Sequence, residues 1–167
     1  MDFNTLLSLI TTVAIIAGGI FAAVQILQFK KQRAREAALQ MLNSTQTIEF
    51  MEAIHIIYNF PEGLSKKEIE EQLEGKMTYI LMMFVKFESL GLLVYRREIK
   101  LQLVKDFIGG PILLFWMTFK NYFIETRQTT HSENYGEWIQ WLAEQLQKKE
   151  SENPKKPAHI AYKNWKE

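Results

Sequence analysis

A chain of 167 residues with a formal net charge of +1 has room for one small domain beside its most apolar stretch, and carries no global field that would draw it to nucleic acid. It holds no cysteine, which excludes disulfides, thiolate catalysis and cysteine-ligated zinc or iron–sulfur centres. His55, His131 and His159 are its only histidines; they are too scattered to suggest a metal site, and no cofactor is expected.

From Phe3 to Phe29 no residue carries a formal charge; Asp2 precedes the run, and Lys30, Lys31, Arg33 and Arg35 follow it. At about 1.5 Å per residue such a run crosses a hydrocarbon core of about 30 Å as one helix. A cleaved signal peptide needs a basic leading segment and a small-x-small exit site. Neither is present: the positive charges follow the run, and Phe21-Ala22-Ala23-Val24-Gln25-Ile26 continues the helical pattern. The sequence therefore predicts a retained transmembrane helix over residues 1–29. The basic residues at its C-terminal end put that side in the cytoplasm. The expected location is the bacterial inner membrane, single-pass, with the N-terminus out and the following domain inside. Lys30, Lys31, Arg33 and Arg35 are also placed to meet anionic lipid headgroups, at about 1 kcal/mol per residue near the surface.

The two halves of this helix differ in character. At 100° per residue, Leu6, Leu9, Ile10, Val13, Ile16, Ile20, Val24 and Leu27 gather on one half, which suits lipid. Asn4, Thr5, Ser8, Thr11, Thr12, Ala14, Gly18, Gly19, Ala22, Ala23 and Gln25 gather on the other, with Leu7, Ile15, Phe21 and Ile26 as exceptions. Close helix packing needs small residues, here Ala14-xxx-Gly18-xxx-Ala22 with Gly19-xxx-Ala23 beside it. With one span per chain the partner has to be another chain, so a homo-oligomer in the bilayer is expected. The hydroxyls of Thr5, Ser8 and Thr12 are placed to hydrogen-bond between helices or, in a ring of subunits, to line a narrow wet path. The bland reading is that Gly, Ala and Thr are ordinary in membrane helices.

Past Phe29 the helical pattern continues through Arg33, Arg35, Glu36, Leu39 and Leu42 to Asn43-Ser44-Thr45. A second helix starts near Thr45 to Thr47, with Ile48, Met51, Ile54 and Ile57 as its stripe and His55 one step off; Asn59-Phe60-Pro61-Glu62-Gly63 stops it. Ser65 and Glu68 form a capping box for a third helix, with Leu64 stapled on Ile69. After Gly75, Met77 to Leu90 reads as an apolar helix ending at Gly91 as its C′ glycine. Leu92 to Arg97 is either extended or the turn into a further helix through Lys100, Val104 and Phe107. Gly109-Gly110-Pro111 then breaks and restarts the chain. Ile112 to Gln128 is apolar nearly all round and belongs in a bundle centre. The uncharged run from Phe107 to Phe119 is too short for a second pass. A last amphipathic helix, Tyr135 to Lys149, puts Trp138, Trp141, Leu142 and Gln145 near one face. The lysine- and proline-containing tail lacks a core of its own, with Ile160, Tyr162 and Trp165 available to dock. The expected fold is all-α: a transmembrane helix over 1–29, a cytoplasmic helical bundle over 30–149, and a basic tail over 150–167.

Two stretches invite a chemical reading. Ser65 to Arg97 resembles a winged helix-turn-helix in outline, but a recognition helix must show polar side chains to the groove. Tyr79-Ile80-Leu81-Met82-Met83-Phe84-Val85 offers almost none, so no DNA partner is expected. Arg127 and His131 stand four apart at a helix end, where a guanidinium steadies phosphate charge while an imidazole moves protons. The bland reading is a solvated helix terminus whose cations meet the dipole.

One N-terminal span, a helical cytoplasmic bundle and the late Arg127-x-x-x-His131 resemble the small membrane accessory proteins of type VI-B CRISPR systems, whose cytoplasmic part looks like a divergent HEPN domain. HEPN ribonucleases use a longer spacer between Arg and His. Arg127 and His131 therefore carry over only as a degenerate motif, with Gln128 in the polar place after the Arg. The chain also resembles a family of bacterial single-span helical proteins through the anchor, Leu90-Gly91-Leu92-Leu93 and Gly109-Gly110. The first resemblance implies a pore of several copies supporting antiviral defence, with an RNA-guided ribonuclease effector or RNA as partner. The alternatives are a membrane-tethered ribonuclease and a passive anchor that recruits a partner through its tail.

Overall fold

The computed structural model describes residues 2–152, 157–164 and 166, and only the backbone of residues 5, 6, 9, 10, 34, 38 and 42. Among them all regular structure is helical: α1 Phe3–Thr45, α2 Ile48–Asn59, α3 Lys66–Gln72, α4 Met77–Tyr95, α5 Leu101–Thr130, α6 Glu137–Glu152 and α7 Ala158–Ala161. The all-α expectation holds. Residues 1–41 and 42–167 form two compact units, so the division falls inside α1, beyond the end of the uncharged run at Phe29.

In the first unit α1 passes the basic cluster without a break, as the pattern predicts. Its large apolar residues, among them Val13, Ile16, Ile20, Leu27 and Phe29, are exposed. Burying one such side chain is worth about 1.5–3 kcal/mol, and these residues gain none of this; Met41, near the end of α1, is its buried apolar side chain. From Thr11 to Thr45 it is long and apolar enough to cross a membrane, and none of its most apolar window is buried. The helix α4 meets the same test of length and composition, but 33% of its window is buried. The side chains of Leu6, Leu9 and Ile10 on the predicted lipid half, of Thr5 opposite, and of Leu42 lie outside the described residues.

The second unit is a helical bundle centred on α5. Val104, Ile108, Ile112, Phe115, Phe119 and Phe123 recur every three or four residues and are all but fully buried, which makes one continuous apolar stripe. Against it pack α2, α3 and α6, and α4 bridges α2 and α6. Rings fill the centre: Phe87 of α4 meets Phe115 edge-on at 5.5 Å, and Phe119 follows Phe115 at 5.0 Å. The predicted capping box is present: Ser65 Oγ accepts from the Glu68 amide, and Glu68 Oε2 accepts from the Ser65 amide at 2.8 Å.

Four details differ from the sequence reading. In α2 the buried face is Phe50, Ala53 and Ile57, whereas Ile48 and Met51 are 79% and 60% exposed. Two stripes share Ile57, and the one with an aromatic ring and a small alanine buries more and packs closer. Second, Gly91 does not end α4, which runs on to Tyr95. The stop is a Schellman motif with Arg97 at C′: φ is 61°, Arg97 N–H donates to Val94 O at 3.0 Å and Glu98 N–H to Leu93 O at 3.0 Å. Leu92 to Arg97 is thus helix and cap rather than strand. Third, the expected break at Gly109-Gly110-Pro111 is present but takes the form of a kink within α5, with Ile108 leaving helical geometry at φ −139° and ψ 16°. Pro111 has no N–H to offer the carbonyl four residues back, so the ladder bends there. Fourth, the buried face of α6 is Ile139, Leu142, Ala143 and Leu146, with Trp138, Trp141 and Gln145 half-buried beside it. In the tail, Ile160 and Tyr162 are exposed; Trp165 and residues 153–156 lie outside the described residues.

Candidate functional site

The small half of α1 is bare. Ser8, Thr12, Ala14, Gly18, Gly19, Ala22 and Ala23 are all exposed, and a Cβ built at Gly18 or Gly19 would meet nothing within 4 Å. Thr11 and Thr12 donate their hydroxyls to Leu7 O and Ser8 O, each at 2.9 Å. Their protons are therefore satisfied within the helix, which suits an apolar medium, while the oxygens keep lone pairs for a donor on another helix. Lys30, Lys31, Arg33 and Arg35 are exposed and enter no ion pair among the described residues. Gln32 and Glu36 pair along the same stretch at 3.0 Å.

Arg127 and His131 are not brought into contact. Arg127, in the last turn of α5, points into the connection to α6: Nε donates to Tyr135 O at 2.8 Å, Nη2 to Gly136 O at 3.1 Å and Nη1 to Gln140 Oε1 at 2.7 Å. His131 is the exposed C-cap of α5, left-handed at φ 52°. The guanidinium is a clamp that serves the Tyr135 carbonyl, shares the Gly136 carbonyl with the N–H of Gln140, and fixes where α6 begins. Gly136 lies within that clamp at φ 73°, and a Cβ there would press on the Phe123 ring at 3.0 Å. From the other side Glu88 of α4 accepts the N–H of Ile139 at 2.8 Å and of Trp138 at 3.3 Å. This carboxylate caps the positive end of α6. Burial pushes the Glu88 carboxyl above its usual range; the two amides and Arg127 pull it back, and Glu137 adds to the rise. No group of three or more potential metal ligands lies together among the described residues.

Residues 12–146 match the model of DUF4760, a domain of unknown function. The chain belongs to the DUF4760 family. No curated protein and no solved structure matches it. The DUF4760 match takes in α1 from residue 12 and ends at Leu146, the last buried residue of α6. The family's pattern therefore joins the apolar helix and the bundle.

Sequence reasoning missed two working residues of this DUF4760 chain, Lys86 and Glu88, although they are the only charged side chains of α4. That isolation was the available signal, because a charge on an otherwise apolar helix needs a partner. Glu88 finds the start of α6. Lys86 Nζ donates to the Ser44 carbonyl and lies 4.9 Å from the centre of the Phe50 ring, tying the end of α1 and the start of α2 to α4. Burial pulls the Lys86 ammonium down, against the Glu49 carboxylate.

Proposed function

We propose that this DUF4760 chain is a single-span protein of the bacterial inner membrane that self-associates through the small face of α1 and forms or gates a pore. In this reading the N-terminus is outside and the HEPN-like bundle is cytoplasmic. The observation that carries it is the adjacent pair Gly18 and Gly19. A glycine inside a helix costs about 1 kcal/mol relative to alanine. Among the described residues, neither a positive φ nor a neighbour within 4 Å gives a reason at either position. A second helix lying against this face gives one, because small residues let backbones approach. The bundle adds a further apolar area for subunits to meet, with Ile48 and Met51 of α2 and Met82 and Val85 of α4 exposed on packed helices.

A role in antiviral defence beside an RNA-guided ribonuclease effector is supported by the resemblance to type VI-B accessory proteins. The tethered-ribonuclease alternative draws no support from Arg127, whose guanidinium is engaged by the α5–α6 connection. The test of the main reading is the mass of the detergent-solubilised chain and ion flux into liposomes that contain it. A multimer that conducts is expected, Gly18→Leu or Gly19→Leu should dissociate it, and Ile16→Val should leave it intact. A wild-type monomer, or a multimer indifferent to both glycine variants, overturns the assembly; absence of flux overturns the pore.

A further inference from the structure

Where the turn after α4 leads into α5, and the second half of α6 passes beside it, an open cleft of about 600 Å³ is formed. That volume is within the range of small-molecule sites, about 300–1,000 Å³. Its lining joins two chemistries. Tyr95 and Trp141 meet edge to face at 5.8 Å, and Trp138 also packs on Tyr95 at 4.7 Å. Tyr95 is 58% exposed, so aromatic surface is open to a ligand while the indoles hold the phenol ring in place. Arg97, Lys100 and Lys149 line the same cleft, and no carboxylate does.

The three cations are uncommitted: among the described residues no side-chain hydrogen bond and no ion pair engages any of them. Arg97 occupies the left-handed C′ position, at φ 61°, where glycine is the usual residue. An arginine there costs about 1–2 kcal/mol of backbone strain and adds nothing to the helix stop that a glycine would not supply; what it does add is a guanidinium at the cleft. Lys100 begins α5 without a side-chain cap, and the first residues of that helix, Leu101 and Gln102, also line the cleft.

We propose that this cleft binds a mononucleotide, with the base against Tyr95 and Trp141 and the phosphates on Arg97, Lys100 and Lys149. Stacking a base on an aromatic side chain is worth about 1–3 kcal/mol, and a guanidinium meets a phosphate bidentately. The pairing of rings with cations distinguishes a nucleotide from a bare anion, which leaves the rings unused. The proposal stands independently of the pore reading.

The experiment titrates ADP into the full chain in detergent, followed by calorimetry and tryptophan fluorescence, with tripolyphosphate, adenosine and phosphatidylglycerol vesicles in parallel. Saturable ADP binding is expected, tighter than that of adenosine or tripolyphosphate. Lys100→Gln with Lys149→Gln should weaken it about tenfold by removing two charge-assisted contacts, and Tyr95→Ser severalfold, at unchanged helicity and melting. No saturation at millimolar ADP overturns the proposal, as does ADP binding unaltered in the double variant. Tripolyphosphate binding as tightly as ADP would reveal an anion site without base recognition, and binding to the vesicles alone a lipid-headgroup site; either overturns the nucleotide.

Discussion

Gly91 and the pair Gly18–Gly19 sit alike, in the interior of long apolar helices, where glycine is the poorest ordinary choice after proline. At Gly91 the reason is in the chain: a Cβ there would lie 2.4 Å from the carbonyl oxygen and 2.8 Å from the carbonyl carbon of Trp138. The backbones of α4 and α6 touch at that point, and only hydrogen fits between them. At Gly18 and Gly19 the same construction meets nothing within 4 Å, and the apolar residues around them are exposed on every side of α1. A glycine inside a helix marks close approach by something. Where the described residues supply no such neighbour, as on α1, the inference passes to another molecule, and we take it to be a second copy.

The sharpest way to break this contrast is to make the same substitution at both places. Gly91→Ala should destabilise the bundle by about 3 kcal/mol despite the better helix propensity of alanine, because a carbonyl cannot swing aside as a side-chain tip can and α4 must part from α6. Urea or guanidinium unfolding of the full chain measures it. A wild-type midpoint would show that the crossing has slack, and the contrast would collapse. Next in size is the clamp on the far side of that crossing. Arg127→Lys keeps the charge but loses the fork that reaches Tyr135, Gly136 and Gln140, so about 2 kcal/mol of stability should go. A loss confined to some activity, with unfolding unchanged, would return Arg127 to the catalytic reading.

Smaller again is Gly18→Ala. Nothing collides, and the lone helix should gain up to about 1 kcal/mol. Any loss must then appear in assembly, which crosslinking yield or sedimentation in detergent reports. A variant that assembles as well as the wild type would mean that the small face is not the contact.

What was legible in the sequence follows from how local each signal is. Ser65 and Glu68 are three residues apart and their capping box depends on little else; it was readable. So was the run of α1 through the basic cluster, since no breaker interrupts it. Gly91 was misread because the residue that explains it, Trp138, is distant in sequence and acts through its backbone, which leaves no trace in composition. The helix stop was misplaced for the complementary reason: Arg97 takes a left-handed conformation that favours glycine, and no pattern announces an arginine there. The α2 stripe was rotated because two faces share Ile57, and only the docking of α4 decides between Phe50 and Ile48. Among candidate site residues, Arg127 was found for a chemistry its contacts do not support. Glu88, which holds the same junction, was passed over because its partners are amides of α6.

Glu88 offers the smallest effect and the finest control on that junction. Its carboxyl is half-buried and held above its usual range chiefly by loss of water, with the amides of Ile139 and Trp138 opposing the rise. A group whose folded pKa is raised binds its proton more tightly in the folded state. Its stabilising contribution is thus full below the unfolded-state value and is lost as pH rises through the folded one. As pH rises above the unfolded carboxylate value, about 4, the Glu88 term should therefore fall. Glu88→Gln keeps a carbonyl for one amide and removes the titration, so its unfolding free energy relative to wild type should improve steadily over that rise. Denaturant midpoints at closely spaced pH values measure the slope. The opposite slope would mean that the α6 amides and Arg127 outweigh desolvation, making Glu88 an electrostatic anchor of the crossing that Gly91 permits.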